Sequence, residues 1–161
     1  MEQELVLEVK DLSVTIDNEA LLRDISFGVK RGEALAIIGP NGAGKTMLFR
    51  ALLGLIPYSG GVHWKEGIKI GYVPQKFTID TLTPLSVEEF FLLKSGRFWF
   101  PRKAFLDHIH HELDMVGLPP AILRKSIGEI SGGELQRVLI SWAMTNHPEV
   151  QIGRASCRER V

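Results

Sequence analysis

The sequence predicts an α/β fold: a strand–loop–helix core, an antiparallel β layer ahead of it, and a helical segment behind it. Three observations predict this. Gly39-Pro40-Asn41-Gly42-Ala43-Gly44-Lys45-Thr46 fits the phosphate-loop pattern G-x-x-x-x-G-K-[ST]. Strand-like runs precede that loop with no helix between them, as in a β layer attached to an α/β core. From Ser86 onward the apolar spacing turns helical.

The loop's residue types follow from its chemistry. Glycines let backbone N–H groups turn inward and approach phosphate oxygens closely. A helix starting near Lys45 points its positive dipole end at the same place. Lys45 would reach the β- and γ-phosphates, and the Thr46 hydroxyl would ligate Mg²⁺. A chance match to the pattern in a chain of this length is on the order of half a percent. The flanking context agrees. Glu33 to Ile38 is a short apolar run of the kind a buried parallel strand uses, and Met47 to Leu53 is helix-forming, stopped by Gly54 and Pro57. The stretch therefore implies nucleotide binding.

Composition narrows the classes. The 161 residues suffice for one domain with a core. Lys+Arg and Asp+Glu number 19 each, so the net charge of zero argues against a nucleic-acid partner. No apolar run approaches the roughly 18 residues of a membrane span. The start, Met1-Glu2-Gln3-Glu4, lacks the basic beginning of a secretory signal, so a cytoplasmic location is expected. The one cysteine, Cys157, excludes an internal disulfide and a thiolate zinc cluster.

Taken in order, residues 4–16 alternate as strands do, with a break at Lys10-Asp11, and Asp17-Asn18-Glu19 is a turn cluster. Leu21 to Val29 reads as the next strand. Beyond the loop helix, 60–64 and 68–73 read as strands around a turn at Lys65-Glu66-Gly67. Residues 76–85 look irregular. A helix starts at Ser86, helped by Glu88 and Glu89, and a second spans Lys103 to Val116 before Gly117-Leu118-Pro119-Pro120. A short helix over 120–125 follows. Ser131-Gly132-Gly133 opens a last apolar helix and offers a second candidate anion site, although Ser-Gly-Gly by itself is usually only a helix-starting turn. His108, His110 and His111, with Asp107 and Asp114, invite a metal reading. Nothing else in the sequence converges on them, so a solvated helix face fits better.

Together these stretches resemble the ATP-binding subunit of ABC transporters, which carries a P-loop NTPase core, an antiparallel β layer and a helical subdomain. The matches are residues 39–46, Gln75 at a strand end, and Ile130 to Glu134, in the family's order and spacing, over about residues 4–150. The resemblance implies ATP and Mg²⁺ as cofactors, with residues 39–46 on the phosphates and Thr46 and Gln75 at the metal. Gln75 would serve the catalytic site and lie near the membrane subunit. Ser131, Gly132, Gly133 and Glu134 would complete the ATP site of a partner subunit across a head-to-tail dimer. Residues 1–150 would be a partial nucleotide-binding domain, with 76–126 its helical subdomain.

Within the family the chain is most similar to the zinc/manganese importer branch, on Ile70-Gly71-Tyr72-Val73-Pro74-Gln75-Lys76, Ile79-Asp80 and Pro84-Leu85-Ser86-Val87. That implies an ATPase subunit on the cytoplasmic face of the membrane, energising metal-cation uptake. Its partners would be an integral permease and an extracytoplasmic metal-binding protein. The alternative is a soluble ABC-type ATPase without a transporter, and a third reading is a non-enzymatic nucleotide switch.

Four departures are visible. Ile16 stands where the family places an adenine-stacking aromatic, Glu134 replaces the signature glutamine, and Trp142 stands where arginine is common. After Val150 the family continues into an apolar strand ending in Asp-Glu, followed later by a histidine. Here Gln151 to Val161 reads as having no apolar strand. That run back-translates in one frame to what looks like a common short-read sequencing adapter. Residues 151–161 are therefore expected to be a non-native tail on a truncated segment, without the catalytic carboxylates.

Overall fold

The computed structural model describes residues 4–74, 77, 83–95 and 102–153. They fall into two compact units, divided between Ile68 and Lys69.

The first unit is built on a long hairpin. Strand β1 (Leu5–Ile16) pairs antiparallel with β2 (Glu19–Lys30), and β3 (Ser59–Trp64) pairs on the other side of β1, giving the order β2-β1-β3. The β1–β2 turn holds Asp17 at φ 51° and Asn18 at φ 64°. Two left-handed residues match the right-handed twist of the strands, and Asp and Asn tolerate that conformation best after glycine. The expected break at Lys10-Asp11 is a bulge inside one strand: the register shifts between Val9 and Leu12, and Asp11 sits at φ 51°. The bulge is held reciprocally. The Asp11 N–H donates to Ser26 Oγ at 2.8 Å, and the Asp24 N–H donates to Ser13 Oγ at 2.9 Å.

Helix α1 (Lys45–Leu52) covers this sheet. Leu48, Ala51 and Leu52 pack with Leu7, Val9, Leu12, Val14 and Leu22 in one core. The Trp64 indole N–H donates to the Leu52 carbonyl at 2.8 Å, which satisfies an acceptor at the helix end.

One expectation here is corrected. Glu33 to Ile38 does not form a strand; Leu35 is 53% exposed and Ile38 92%. A parallel strand exists only through its ladder, and among the described residues no strand pairs with this run.

In the second unit, β4 (Ile70–Val73) pairs in parallel with β5 (Val150–Gly153), Ile70 opposite Val150 and Tyr72 opposite Ile152. This overturns the reading of residues after Val150 as strandless. Gln151, Ile152 and Gly153 continue the strand, and Ile152 is buried. The sequence signal was weak because the strand is short and only one of its side chains needs to be apolar.

Helices α2 (Val87–Ser95), α3 (Arg102–Met115) and α4 (Gly132–Met144), with a 3₁₀ turn at Pro120–Arg124, enclose the second core. Phe91, Ile109, Leu113 and Val138 are fully buried at its centre. α3 ends as expected: Gly117 takes φ 68°, and the Leu118 N–H returns to the Leu113 carbonyl at 2.9 Å. The buried Ser141 hydroxyl of α4 donates to the Glu112 carbonyl of α3 at 2.6 Å.

Phe91 makes edge contact with Phe90 and has no exposed surface. Phe91→Ala is expected to destabilise the second unit by about 3–5 kcal/mol, through lost burial and the cavity left behind. A urea midpoint unchanged from the parent would contradict this.

Candidate nucleotide-binding site

The glycine loop runs from Gly39 into α1. Gly42 takes φ 86° and Gly44 φ 79°, both left-handed. At Gly44 the space is also closed: a Cβ there would lie 2.6 Å from Leu22 Cδ2 and 3.2 Å from the Leu21 carbonyl oxygen. Only glycine lets the loop turn this tightly against β2. The turn is tied by the Ala43 N–H to the Pro40 carbonyl at 3.3 Å. A single substitution at Gly44 would therefore disturb both the loop and the strand beneath it.

Gly44 is also the N-cap of α1, so no side chain there caps the helix, and no acidic residue lies in its first turn. The first N–H groups of a helix have no intrahelical acceptors and attract anions. Lys45 adds the only cation on the loop. Its Nζ donates to the Gly39 carbonyl at 2.7 Å and to the Pro40 carbonyl at 2.6 Å, which arches the side chain along the loop. An ammonium has three donors, so one remains beyond these two. Thr46 stands exposed in the first turn of α1.

This donor set fits a phosphate chain: left-handed glycines, an uncapped helix start and one ammonium. For Mg²⁺ it offers a hydroxyl oxygen from Thr46, a ligand type the ion accepts. The other expected metal contact, Gln75, lies outside the described residues. Ile16 ends β1 beside the hairpin turn, opposite Glu19, and is 37% exposed.

The second predicted anion site is organised differently. Ser131 is the N-cap of α4 within a complete capping box. Ser131 Oγ accepts the Glu134 N–H at 3.2 Å and donates to Glu134 Oε2 at 2.8 Å, while the Ser131 N–H donates to the same oxygen at 2.8 Å. Lys125 Nζ reaches Glu134 Oε1 at 3.2 Å. The backbone N–H of Ser131, its hydroxyl and the Lys125 ammonium together lower the Glu134 carboxyl to about 2. Gly132 and Gly133 have open space where a Cβ would be, so nothing crowds the first turn. The Lys125 contact was not anticipated, since nothing in the sequence spacing links it to Glu134.

Trp142, unexplained from sequence, packs its ring against Phe90 at 5.3 Å between centroids. Lys94 Nζ lies 4.5 Å from the Trp142 ring centroid and donates to the Trp142 carbonyl at 2.6 Å and the Ala143 carbonyl at 3.1 Å. A lysine from α2 thus caps the end of α4, where the helix dipole favours a cation. Partial burial lowers the Lys94 pKa. As for the α3 histidines, no group of three or more His, Cys, Asp or Glu side chains among the described residues could hold a metal ion. Asp107, His111 and Asp114 are exposed, as a solvated face would be, whereas His108 and His110 are half-buried.

With a phosphate loop at the head of α1 and a Ser-Gly-Gly box at the head of α4, the architecture is that of a P-loop ATPase of the ABC class. The ABC transporter family profile matches residues 22–153, and the chain belongs to this family. Its similar relatives include the zinc import ATP-binding protein ZnuC of Photorhabdus laumondii, 38% identical over 148 residues that cover 91% of this chain and 54% of that protein. The protein of the same name from Yersinia enterocolitica is 40% identical over 154 residues, covering 91% and 56%. The chain spans about half the length of the curated relatives it matches. Among solved structures, the ATP-binding subunit of an ABC transporter aligns at TM-score 0.78 and 27% identity, over 92% of this chain and 65% of that one. An ABC transporter in an inward-facing conformation aligns at TM-score 0.78 and 25% identity, over 93% and 59%.

The capping box has a pH signature. Glu134 is held below the ordinary carboxylate value of 4.5, so its contribution to folding is complete above about pH 4.5 and is lost as pH falls through about 2. Carboxyl ¹³C resonances should show Glu134 titrating near 2 in the parent and moving toward the ordinary value in Ser131→Ala. An unshifted Glu134 midpoint in the parent would refute the box.

Proposed function

We propose that this chain is the nucleotide-binding part of an ATPase subunit that couples ATP binding and hydrolysis to metal-cation uptake, zinc or manganese, by an ABC importer. The observation that carries the ATP reading is the uncapped start of α1 beneath the left-handed glycine loop, with Lys45 laid along it. The cargo reading is supported by the names of the relatives, zinc import ATP-binding proteins.

In this reading residues 39–46 wrap the phosphates and the Lys45 ammonium exchanges loop carbonyls for phosphate oxygens. Thr46, with Gln75, would hold Mg²⁺, which would supply charge neutralisation at the phosphates. Ser131, Gly132, Gly133 and Glu134 face the nucleotide of a second subunit in a head-to-tail dimer. An integral permease and an extracytoplasmic metal-binding protein complete the importer, and the subunit sits at the cytoplasmic face of the membrane. No helix among the described residues is long and apolar enough to cross a membrane. We assign 1–150 to the nucleotide-binding domain, with 76–126 as its helical subdomain.

Lys45→Ala should weaken ATP binding by about 1.5–3 kcal/mol, the range for a hydrogen bond to a charged group. Equal nucleotide affinity of mutant and parent by calorimetry would count against the assignment.

The 161-residue chain by itself should release no phosphate from Mg²⁺-ATP, because it carries no Asp-Glu pair after β5 to polarise the attacking water. Turnover above background that disappears in Lys45→Ala would require a catalytic carboxylate elsewhere in the chain.

A further inference from the structure

We propose that His108 and His147 form a binding site for a divalent transition-metal ion. His108 lies on α3, and His147 lies in the connection from α4 to β5. The fold brings their rings to 4.8 Å between centroids, tilted by 56°.

The hydrogen bonding leaves metal-binding nitrogens available. His108 is half-buried, and its Nε2 lies 2.7 Å from the Thr145 carbonyl oxygen. A carbonyl only accepts, so Nε2 carries a proton, and in the neutral imidazole Nδ1 is then the nitrogen with the lone pair. This is the arrangement of metal-ligating histidines generally, in which the second ring N–H is held by a carbonyl or carboxylate that fixes the tautomer. His147 is exposed, and its backbone takes φ 47° with its N–H on the Met144 carbonyl at 2.8 Å.

Two imidazole nitrogens bound to one tetrahedral zinc lie about 3.3 Å apart, given bonds of about 2.0–2.1 Å. The ring centroids are 4.8 Å apart and His147 is exposed, so the site requires only that the His147 ring turn about its side-chain bonds to bring one nitrogen to that spacing from His108 Nδ1. With two protein ligands, water would complete the coordination. Imidazole nitrogen selects zinc, copper or nickel over the oxygen-preferring magnesium and calcium. The ion would tie α3 to the chain entering β5. This inference does not rest on the transport reading, because metal binding by the chain is measured directly.

The test uses the 161-residue chain and Zn²⁺ alone, titrated at neutral pH while the imidazole nitrogens of its five histidines are followed by long-range ¹H–¹⁵N spectra. His108 Nδ1 and one His147 nitrogen should move together and saturate at one equivalent. His147→Asn removes the imidazole but keeps a residue that tolerates left-handed backbone, and His108→Gln keeps a donor for Thr145. Each should weaken zinc binding roughly tenfold or more, while His111→Asn leaves it unchanged. Parent affinity in both His147→Asn and His108→Gln would overturn the site. So would zinc saturation that shifts only His110 and His111, or no saturable binding in the micromolar range.

Discussion

The first N–H groups of a helix need partners outside the helix, and this chain meets that constraint in two opposite ways. At α2 and α4 a serine and a glutamate three residues on close a capping box. Ser86 with Glu89 repeats the contacts of Ser131 with Glu134, and both carboxyls are held below their ordinary value by the serine N–H and hydroxyl. At α1 the N-cap is Gly44, which has no side chain to offer. Of these three helices, two thus carry their own anion, and the start of α1 has none. That contrast, more than the count of glycines, distinguishes a phosphate loop from an ordinary helix start.

The same contrast bears on the Ser-Gly-Gly stretch. Ser131 already uses both its hydroxyl and its N–H on Glu134. A phosphate arriving at this helix start would meet a carboxylate, and the neighbouring Lys125 ammonium offsets that charge. A glutamine at this position would close the same box without the charge.

The ends of the helices show the complementary need for donors. Lys94 and His108 both deliver N–H groups to carbonyls at the end of α4, from α2 and α3 respectively. Trp142 belongs to this arrangement: its ring faces Phe90 on one hand and the Lys94 ammonium on the other. An aromatic suits such a site because it offers apolar area to a core and a negative face to a cation.

The sequence by itself determined whatever depends on neighbours along the chain. The hairpin turn at Asp17-Asn18, the left-handed glycines at 42 and 44, the helix start at Ser86 and the stop at Gly117 are local chemistry, and they lie where the spacing put them. The loop's lysine and threonine were equally legible, since the pattern places them at the head of α1. Tertiary structure decided whatever needs a distant partner. The apolar run 33–38 has strand composition but pairs with no strand among the described residues, while 150–153 has little strand signal and is a strand because β4 lies beside it. Lys94 on Trp142 and His108 against His147 are contacts across long stretches of chain, and Lys125 on Glu134 depends on how the connection after the 3₁₀ turn folds back on the start of α4. Periodicity reports which face of an element is apolar; it does not report which element that face will meet.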